Sequence, residues 1–397
     1  MSAPLSGFRI LDLTNVLAGP FCCHQLAHMG AEVIKVEAPG TGDLARQLGA
    51  DPELNARLMG VSFLAQNTGK RSIVLNLKAE EGKDALRRLV ATADALVENF
   101  RPGVMERLGL GHNALREANP ELIYCAISGF GQDGPLKSAP AYDQIVQGMS
   151  GVMSVTGDEA SAPLRVGYPV ADTIGGMTAA FAIASALARP KPGRGVFIDV
   201  SMLDAMLATM GWVVSNYLVA GKTPVPMGNA NFTASPSGAF RTADGLVNIA
   251  ANKQEQFEAV ARVVGLPDLA SDPRFAKRQD RLDNRAALTE ALETALAART
   301  SAEWVAALNA AGVPAGPVLS VPEALAHEQV AGRDLIGEHS IAGLDGPVRI
   351  ARTGVRLDGE APATATPPPE LGADTEDILR EIGLGAEIAA LREKGVI

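Results

Sequence analysis

The sequence predicts an α/β protein: a doubly wound, mainly parallel sheet followed by a smaller α+β region. Three observations carry this. Short β-rich runs alternate with helical ones through the first half of the 397 residues, which is the pattern of βαβ units. The character then changes at Ala220-Gly-Lys-Thr-Pro-Val-Pro-Met-Gly-Asn229, a Pro/Gly-rich linker. Finally, the chain is too long for one small core and suggests about two domains.

The elements follow in order. Phe8–Thr14 alternates and reads as a first strand, and Pro20–Met29 as a helix with proline at its first position. Gly30–Glu37 is a second strand, Arg71–Leu77 a third, Ala95–Asn99 a fourth and Glu121–Ile127 a fifth, with an amphipathic helix over Glu80–Ala91. Gln144–Val152 and Ile174–Ala188 read as helices, Gly195–Val200 as a sixth strand, and Ser201–Tyr217 as one long apolar helix. Past the linker, Ser237–Phe240 and Gly245–Ala251 read as a strand pair. Helices are expected over Lys253–Val264, Asn284–Ala298, Ser301–Ala311 and Val321–Ala331, a strand over Val348–Val355, and terminal helices over Asp374–Ile382 and Ala386–Lys394.

Composition narrows the function classes. Net charge is −10, which argues against nucleic acid or an anionic membrane as the main partner, since both demand a basic surface. Three cysteines, two of them adjacent, imply no disulfide framework, and a reducing cytoplasm is the expected compartment. The first residues lack the charged and apolar regions of a signal peptide. The longest apolar run, near 174–188, is shorter than the ~20 residues that span a bilayer.

One acidic residue stands out. Asp172 follows the turn-like Gly-Tyr-Pro of residues 167–169 and precedes the apolar run, which reads as an N-cap or first-turn position. A helix N-terminus would favour its ionised, nucleophilic form. Gly175 and Gly176 would let a ligand approach the backbone and could lend N–H groups to an oxyanion.

Other motifs are set aside. Gly129-Phe-Gly131-Gln-Asp-Gly134 fits a dinucleotide fingerprint, but Pro135 and Pro140 replace the helix that must follow. His24 and His28 lack the glutamate and further ligands of a metal site, so no metal is expected. Lys70, Arg71 and Lys78 beside one strand, with Arg101 and Arg107 after another, point modestly to a phosphate-bearing ligand. Arg46, Arg165 and Lys253 are candidate readers of a second carboxylate.

The ordered series is more specific than any one motif. Ile10-Leu-Asp-Leu-Thr, Ala18-Gly-Pro20, Gly30–Glu37, Asn67-Thr-Gly-Lys-Arg-Ser72, Val97-Glu-Asn-Phe-Arg-Pro-Gly103, Ser128–Gly131 with Gly134-Pro135, Tyr142-Asp143 and Asp172 closely resemble, over nearly the whole chain, the class III CoA-transferase (CaiB/BaiF) family. That family includes CoA-transferases and α-methylacyl-CoA racemases. The resemblance implies a large Rossmann-like CoA-binding domain (1–219), a linker (220–229), a small domain (230–318), and a second linker with a C-terminal return (319–397). It also implies an interlocked homodimer.

By the same resemblance Asp172 is the catalytic residue, and CoA is held near Val16, Ala18, Leu75, Lys78, Asn99, Phe100 and Arg107. Arg101 is added from its place in the same loop. No permanently bound cofactor is expected; CoA and acyl-CoA are substrates. Racemases of the family carry His-Asp where this chain has Tyr142-Asp143, and proton exchange on two faces needs such an acid/base pair. Transfer of CoA from an acyl-CoA to a free acid, with Tyr142 orienting a substrate, is therefore the leading expectation. A 2-methylacyl-CoA racemase and a non-catalytic CoA-binding subunit are the alternatives. The segment Met227–Gly238 lacks the glycine-rich loop of the family's formyl-CoA:oxalate CoA-transferases, so the resemblance does not extend to an oxalate acceptor.

Overall fold

The computed structural model describes residues 3–397. Six strands form its main sheet: β1 (Arg9–Asp12), β2 (Glu32–Glu37), β3 (Lys70–Val74), β4 (Ala95–Glu98), β5 (Ile123–Ser128) and β6 (Val196–Ser201). They lie in the order β3-β2-β1-β4-β5-β6, every pair parallel. This is the strand order of dinucleotide-binding Rossmann sheets, with a reversal between β1 and β4.

Strand residues alternate between two cores. Ile10, Val33, Val97, Ile123 and Cys125 face α1 (Ala18–His28) and a long helix over Val170–Leu187. Leu11, Ile34, Ile73, Leu96 and Tyr124 face α2 (Glu80–Thr92) and the C-terminal helices. Both faces are covered, so the strands are apolar on both sides. Between β5 and β6 lie α3 (Asp143–Met149) and α4 (Val170–Leu187), and after β6 come α5 (Met202–Thr209) and α6 (Trp212–Ala220). The single helix expected over Ser201–Tyr217 is broken: Gly211 takes φ +56, and α5 and α6 diverge by 78°. By length and composition α4 could cross a membrane, but half of it is buried in this core.

The chain divides into two compact units. The larger runs to Val152, resumes over Arg165–Lys222 and returns with Ala331–Ile397. In the return, β10 (Ile336–His339) pairs antiparallel with β11 (Val348–Ala351). The tail then covers the edge of β3: Asp374 accepts from Ser72 N–H, and Thr375 Oγ1 from Val74 N–H. This leaves fewer open ladder groups on an edge strand.

The smaller unit comprises Met153–Leu164 and Thr223–Val330. It holds an antiparallel sheet of β7 (Ser237–Arg241), β8 (Leu246–Ala250) and β9 (Ala315–Pro317), with Phe240, Phe257, Leu288, Leu292 and Trp304 in its core. These boundaries differ from the expected 230–318. Residues 153–164 belong to this unit although they precede β6, because Gly228 N–H bonds to the Gly157 carbonyl, a pairing distant in sequence. The expected helix over Val321–Ala331 is likewise two short pieces, Val321–Ala326 and Glu328–Ala331.

Candidate active site

Ligands of open α/β sheets sit beyond the carboxyl ends of the strands where the order reverses. Two cavities occupy that place in the larger unit. The first, about 330 Å³, is lined by the loop after β1 (Asn15–Ala18), the loop after β4 (Asn99–Pro102), the loop after β5, and Tyr142 and Asp172. The second, about 300 Å³ and mainly apolar, is lined among others by Leu75, Lys78, Asp43 and Val104. Asn15 and Phe100 line both.

The structure thus brings Val16, Ala18, Asn99, Phe100, Arg101, Tyr142 and Asp172 to one cavity, and Leu75, Lys78 and Phe100 to its neighbour. Arg107 lies on a short helix over Val104–Arg107, exposed and outside both linings. Lys78, Arg101 and Arg107 are exposed and make no ion pair among the described residues, so their charges are available to an anion. The Gly-rich loop after β5 has no helix until Asp143, as the sequence predicts.

A buried charge network carries the β1 loop. Lys70 Nζ donates to Asp12 (2.8 Å), Asn67 (2.8 Å) and the Pro20 carbonyl (3.0 Å). Lys35 Nζ donates to the Thr14 carbonyl at 2.8 Å and pairs with Asp43 at 2.9 Å. Burial pushes the Asp12 carboxyl up, but Lys35 and Lys70 outweigh it and hold the group far below the usual carboxylate range. Burial opposes the charge of Lys35 too, yet Asp12 and Asp43 hold its ammonium above the usual range.

Above this network Val16 has φ +69, a left-handed conformation that costs a β-branched residue about 1–3 kcal/mol. Its N–H donates to Asp43 Oδ1 at 2.9 Å. Asn99 fixes the neighbouring residue: its amide donates to the Asn15 carbonyl and accepts from the Asn15 N–H, both at 2.8 Å. The side chain of Asn99 is therefore committed to the loop, although it lines the cavity.

Several expected ligand contacts are excluded by these bonds. Lys70 is fully enclosed. Arg71 is held by Glu32 and Glu381, and Arg46 is buried in a two-pronged pair with Glu37 at 2.7 Å. None of the three is free for a phosphate or a second carboxylate. In sequence they looked exposed because their acidic partners come from other strands and from the tail.

Asp172 is the third residue of α4, not its cap. The capping oxygen belongs to Asp143: Oδ1 accepts from Ala171 N–H at 2.8 Å and, more weakly, from Asp172 N–H at 3.4 Å. Asp143 Oδ2 accepts from Gln147 at 2.7 Å and lies 3.4 Å from Arg165. The half-buried Asp172 carboxyl is consequently pushed up to about 7, first by burial and then by the negative charge of Asp143. This reverses the expectation that the helix end keeps it ionised.

The glycines need correction as well. Gly175 and Gly176 lie inside α4, where N–H groups bond to carbonyls four residues back, so neither is placed to serve an oxyanion. A Cβ on Gly176 would come within 2.4 Å of the Ala18 carbonyl, and one on Gly175 within 2.8 Å of Met202. They allow α4 to pack closely on α1 and α5, not to meet a ligand.

Sequence reading missed Asp43, Leu44, Glu98, Lys137 and Met202. Leu44, Lys137 and Met202 line the first cavity. Glu98 lies under the β4 loop, accepts from Phe100 N–H at 2.7 Å, and is pushed up to about 8 chiefly by burial. Only Asp43 carried a signal, as an acid after Gly42 at the end of a strand loop. Tyr142 is 69% exposed, its ring at the mouth of the cavity that holds Asp172.

Comparison with known proteins places the chain in a family. A family model described as CoA-transferase family III matches residues 5–375. The chain is 44% identical over 335 residues to an acetyl-CoA:oxalate CoA-transferase of Acetobacter aceti, covering 84% of this chain and 85% of the relative. It is 37% identical to a succinyl-CoA:glutarate CoA-transferase of Mus musculus, covering 96% and 86%. A crystal structure of a CAIB/BAIF family protein from Brucella suis superposes with a TM-score of 0.83 at 35% identity, covering 96% of this chain and all of that one. A parallel sheet whose switch point gathers an acid, a tyrosine and two unpaired cationic loops thus belongs to a chain matched along almost its full length, and the protein is a CoA-transferase of family III.

Proposed function

We propose that the chain moves CoA from an acyl-CoA thioester to a small dicarboxylic acid, with Asp172 as the covalent carrier. The observation that carries this reading is that Asp172 and Tyr142 line one cavity with the Val16–Ala18 and Asn99–Arg101 segments. A carboxylate oxygen of Asp172 attacks the thioester carbonyl carbon. The C–S bond breaks, CoA leaves as thiolate, and a mixed anhydride remains. The thiolate attacks the Asp172 carbonyl and releases the donor acid, leaving an aspartyl-CoA thioester. The acceptor carboxylate then attacks that carbonyl and expels the thiolate, which takes the acceptor acyl group from the second anhydride and frees Asp172. Covalent storage divides one hard exchange into easier steps.

Exposed Lys78, Arg101 and Arg107 suit the phosphates of CoA, and the apolar second cavity suits a flat base. Tyr142 orients the acyl group at the mouth. The names of the relatives, which include oxalate, glutarate and mesaconate enzymes, support a dicarboxylate acceptor. The 44% relative keeps oxalate within that class. α-Proton exchange is disfavoured, because Asp143 is engaged with α4 and Gln147 and no histidine precedes it.

A homodimer is part of this reading. No residue of α6 is buried, and Leu218 and Val219 are 74% and 86% exposed. Such an apolar helix calls for a covering surface. Free, buried Cys22, Cys23 and Cys125 fit a reducing, cytoplasmic setting.

The test is mass spectrometry and turnover with succinyl-CoA and a panel of dicarboxylates. The native chain is expected to gain a CoA adduct on Asp172 and to produce the acceptor thioester, while Asp172→Ala does neither. Undiminished turnover by that variant would end the covalent reading. Solvent deuterium entering a 2-methylacyl-CoA would favour racemisation instead.

A further inference from the structure

We infer that Asp43 is a positioning residue for the acyl-CoA, holding two walls of the cavity in the shape that binds it. The argument rests on the CoA-transferase reading of this cavity and on three geometric facts.

First, one oxygen does two jobs. Asp43 Oδ1 accepts from Val16 N–H at 2.9 Å and from Ala45 N–H at 2.9 Å. The second bond caps the short 3-10 turn over Leu44–Gln47. Val16 and Leu44 both line the cavity that holds Asp172. A single carboxylate therefore fixes the wall built on the β1 loop and the wall built on the turn after β2.

Second, the Val16 conformation needs a hold. A β-branched residue at φ +69 leaves that region unless its surroundings over-determine it. The neighbouring bonds of Asn99 reach Asn15, not Val16. Among the described residues the polar partner of the Val16 N–H is Asp43.

Third, the carboxylate is itself fixed from below. Asp43 is 1% exposed, its Oδ2 lies 2.9 Å from Lys35 Nζ, and its own N–H donates to Glu37 Oε1 at 3.0 Å. Lys35 also donates to the Thr14 carbonyl, two residues before Val16. The buried charges thus grip both ends of the turn that leads into α1.

Glycine adopts left-handed φ without strain, so Val16→Gly should remove the need for the hold. The experiment measures the dissociation constant of free CoA by calorimetry, apart from turnover, in four full-length proteins: native, Asp43→Ala, Asp43→Glu, and Asp43→Ala combined with Val16→Gly. Asp43→Ala removes the acceptor oxygen and is expected to weaken CoA about tenfold or more. Asp43→Glu keeps a charge for Lys35 but moves the oxygen from Val16, and should show a similar loss, so the conclusion stands if only one variant folds. Adding Val16→Gly should recover most of the affinity without recovering the thermal midpoint, which a merely structural role of Asp43 would not allow. Native-like CoA affinity in Asp43→Ala or Asp43→Glu, or failure of Val16→Gly to restore it, overturns the assignment. If the native chain itself does not bind CoA, the cavity reading has failed; if it binds and the variants bind equally, only the role of Asp43 has.

Discussion

Asp172 has to be deprotonated to act as a nucleophile, and its surroundings set how often it is. Burial is the larger cause of its upward shift and the charge of Asp143 the smaller. With the carboxyl near 7, the transfer rate should rise through neutrality and fall about tenfold per pH unit on the acid side. Asp143→Asn keeps an oxygen for the Ala171 N–H while removing the charge. It should move this acidic limb to lower pH by less than about one unit, since burial remains. A pH–rate profile of both proteins checks it, and a limb that stays put would assign the shift to burial alone. The sequence reads Asp172 itself as an N-cap or first-turn residue, and it does lie in the first turn; the cap comes instead from Asp143, 28 positions before Ala171, a contact only folding makes.

At the scale of elements, the site depends on α1 and α4 lying against one another. Gly176 sits where their backbones approach, with a built Cβ only 2.4 Å from the Ala18 carbonyl and 3.1 Å from the Phe21 ring. The carbonyl is backbone and cannot swing away. Gly176→Ala should therefore cost about 1–3 kcal/mol, as overpacking does. It should also weaken CoA binding, because Ala18 begins α1 and lines the cavity. A thermal melt read beside a CoA titration measures both; an unchanged melt would show that the helices slide apart freely. The pair Gly175-Gly176 was legible as a close approach, but not what approaches. Helix periodicity says which positions share a face, while the neighbour on that face comes from elsewhere in the chain.

For the whole molecule, the buried charges and the exposed apolar helix point in different directions. Asp12, Lys35, Asp43 and Lys70 are enclosed within the larger unit, so they need nothing outside it. Tyr217, Leu218 and Val219 of α6 and Phe181 of α4 are exposed. The chain is accordingly expected to sediment as a dimer, and Leu218→Asp with Val219→Asp should shift it toward the monomer with a loss of transfer. A native chain that sediments as a monomer at micromolar concentration would remove the dimer from the proposal. The two cationic groups seen in sequence do not stay together. Within the first, Lys70 and the partly exposed Arg71 are neutralised by acids up to 310 positions away, at Glu381, while Lys78 is exposed and, like Arg101 and Arg107 of the second, makes no ion pair among the described residues.

The sequence by itself determined the six parallel strands, the switch from α/β to α+β near residue 220, the family, and the acid, tyrosine and loop residues that meet at the first cavity. These follow from periodicity, from turn chemistry and from an ordered series of motifs, all of which are local or additive along the chain. Tertiary structure alone decided that Asp143 caps α4, that Asp172 is raised toward neutrality, that Gly175 and Gly176 serve helix packing, and that Asp43 holds Val16. Each of those depends on a neighbour distant in sequence and on the exclusion of water, and neither is set until the chain has closed on itself.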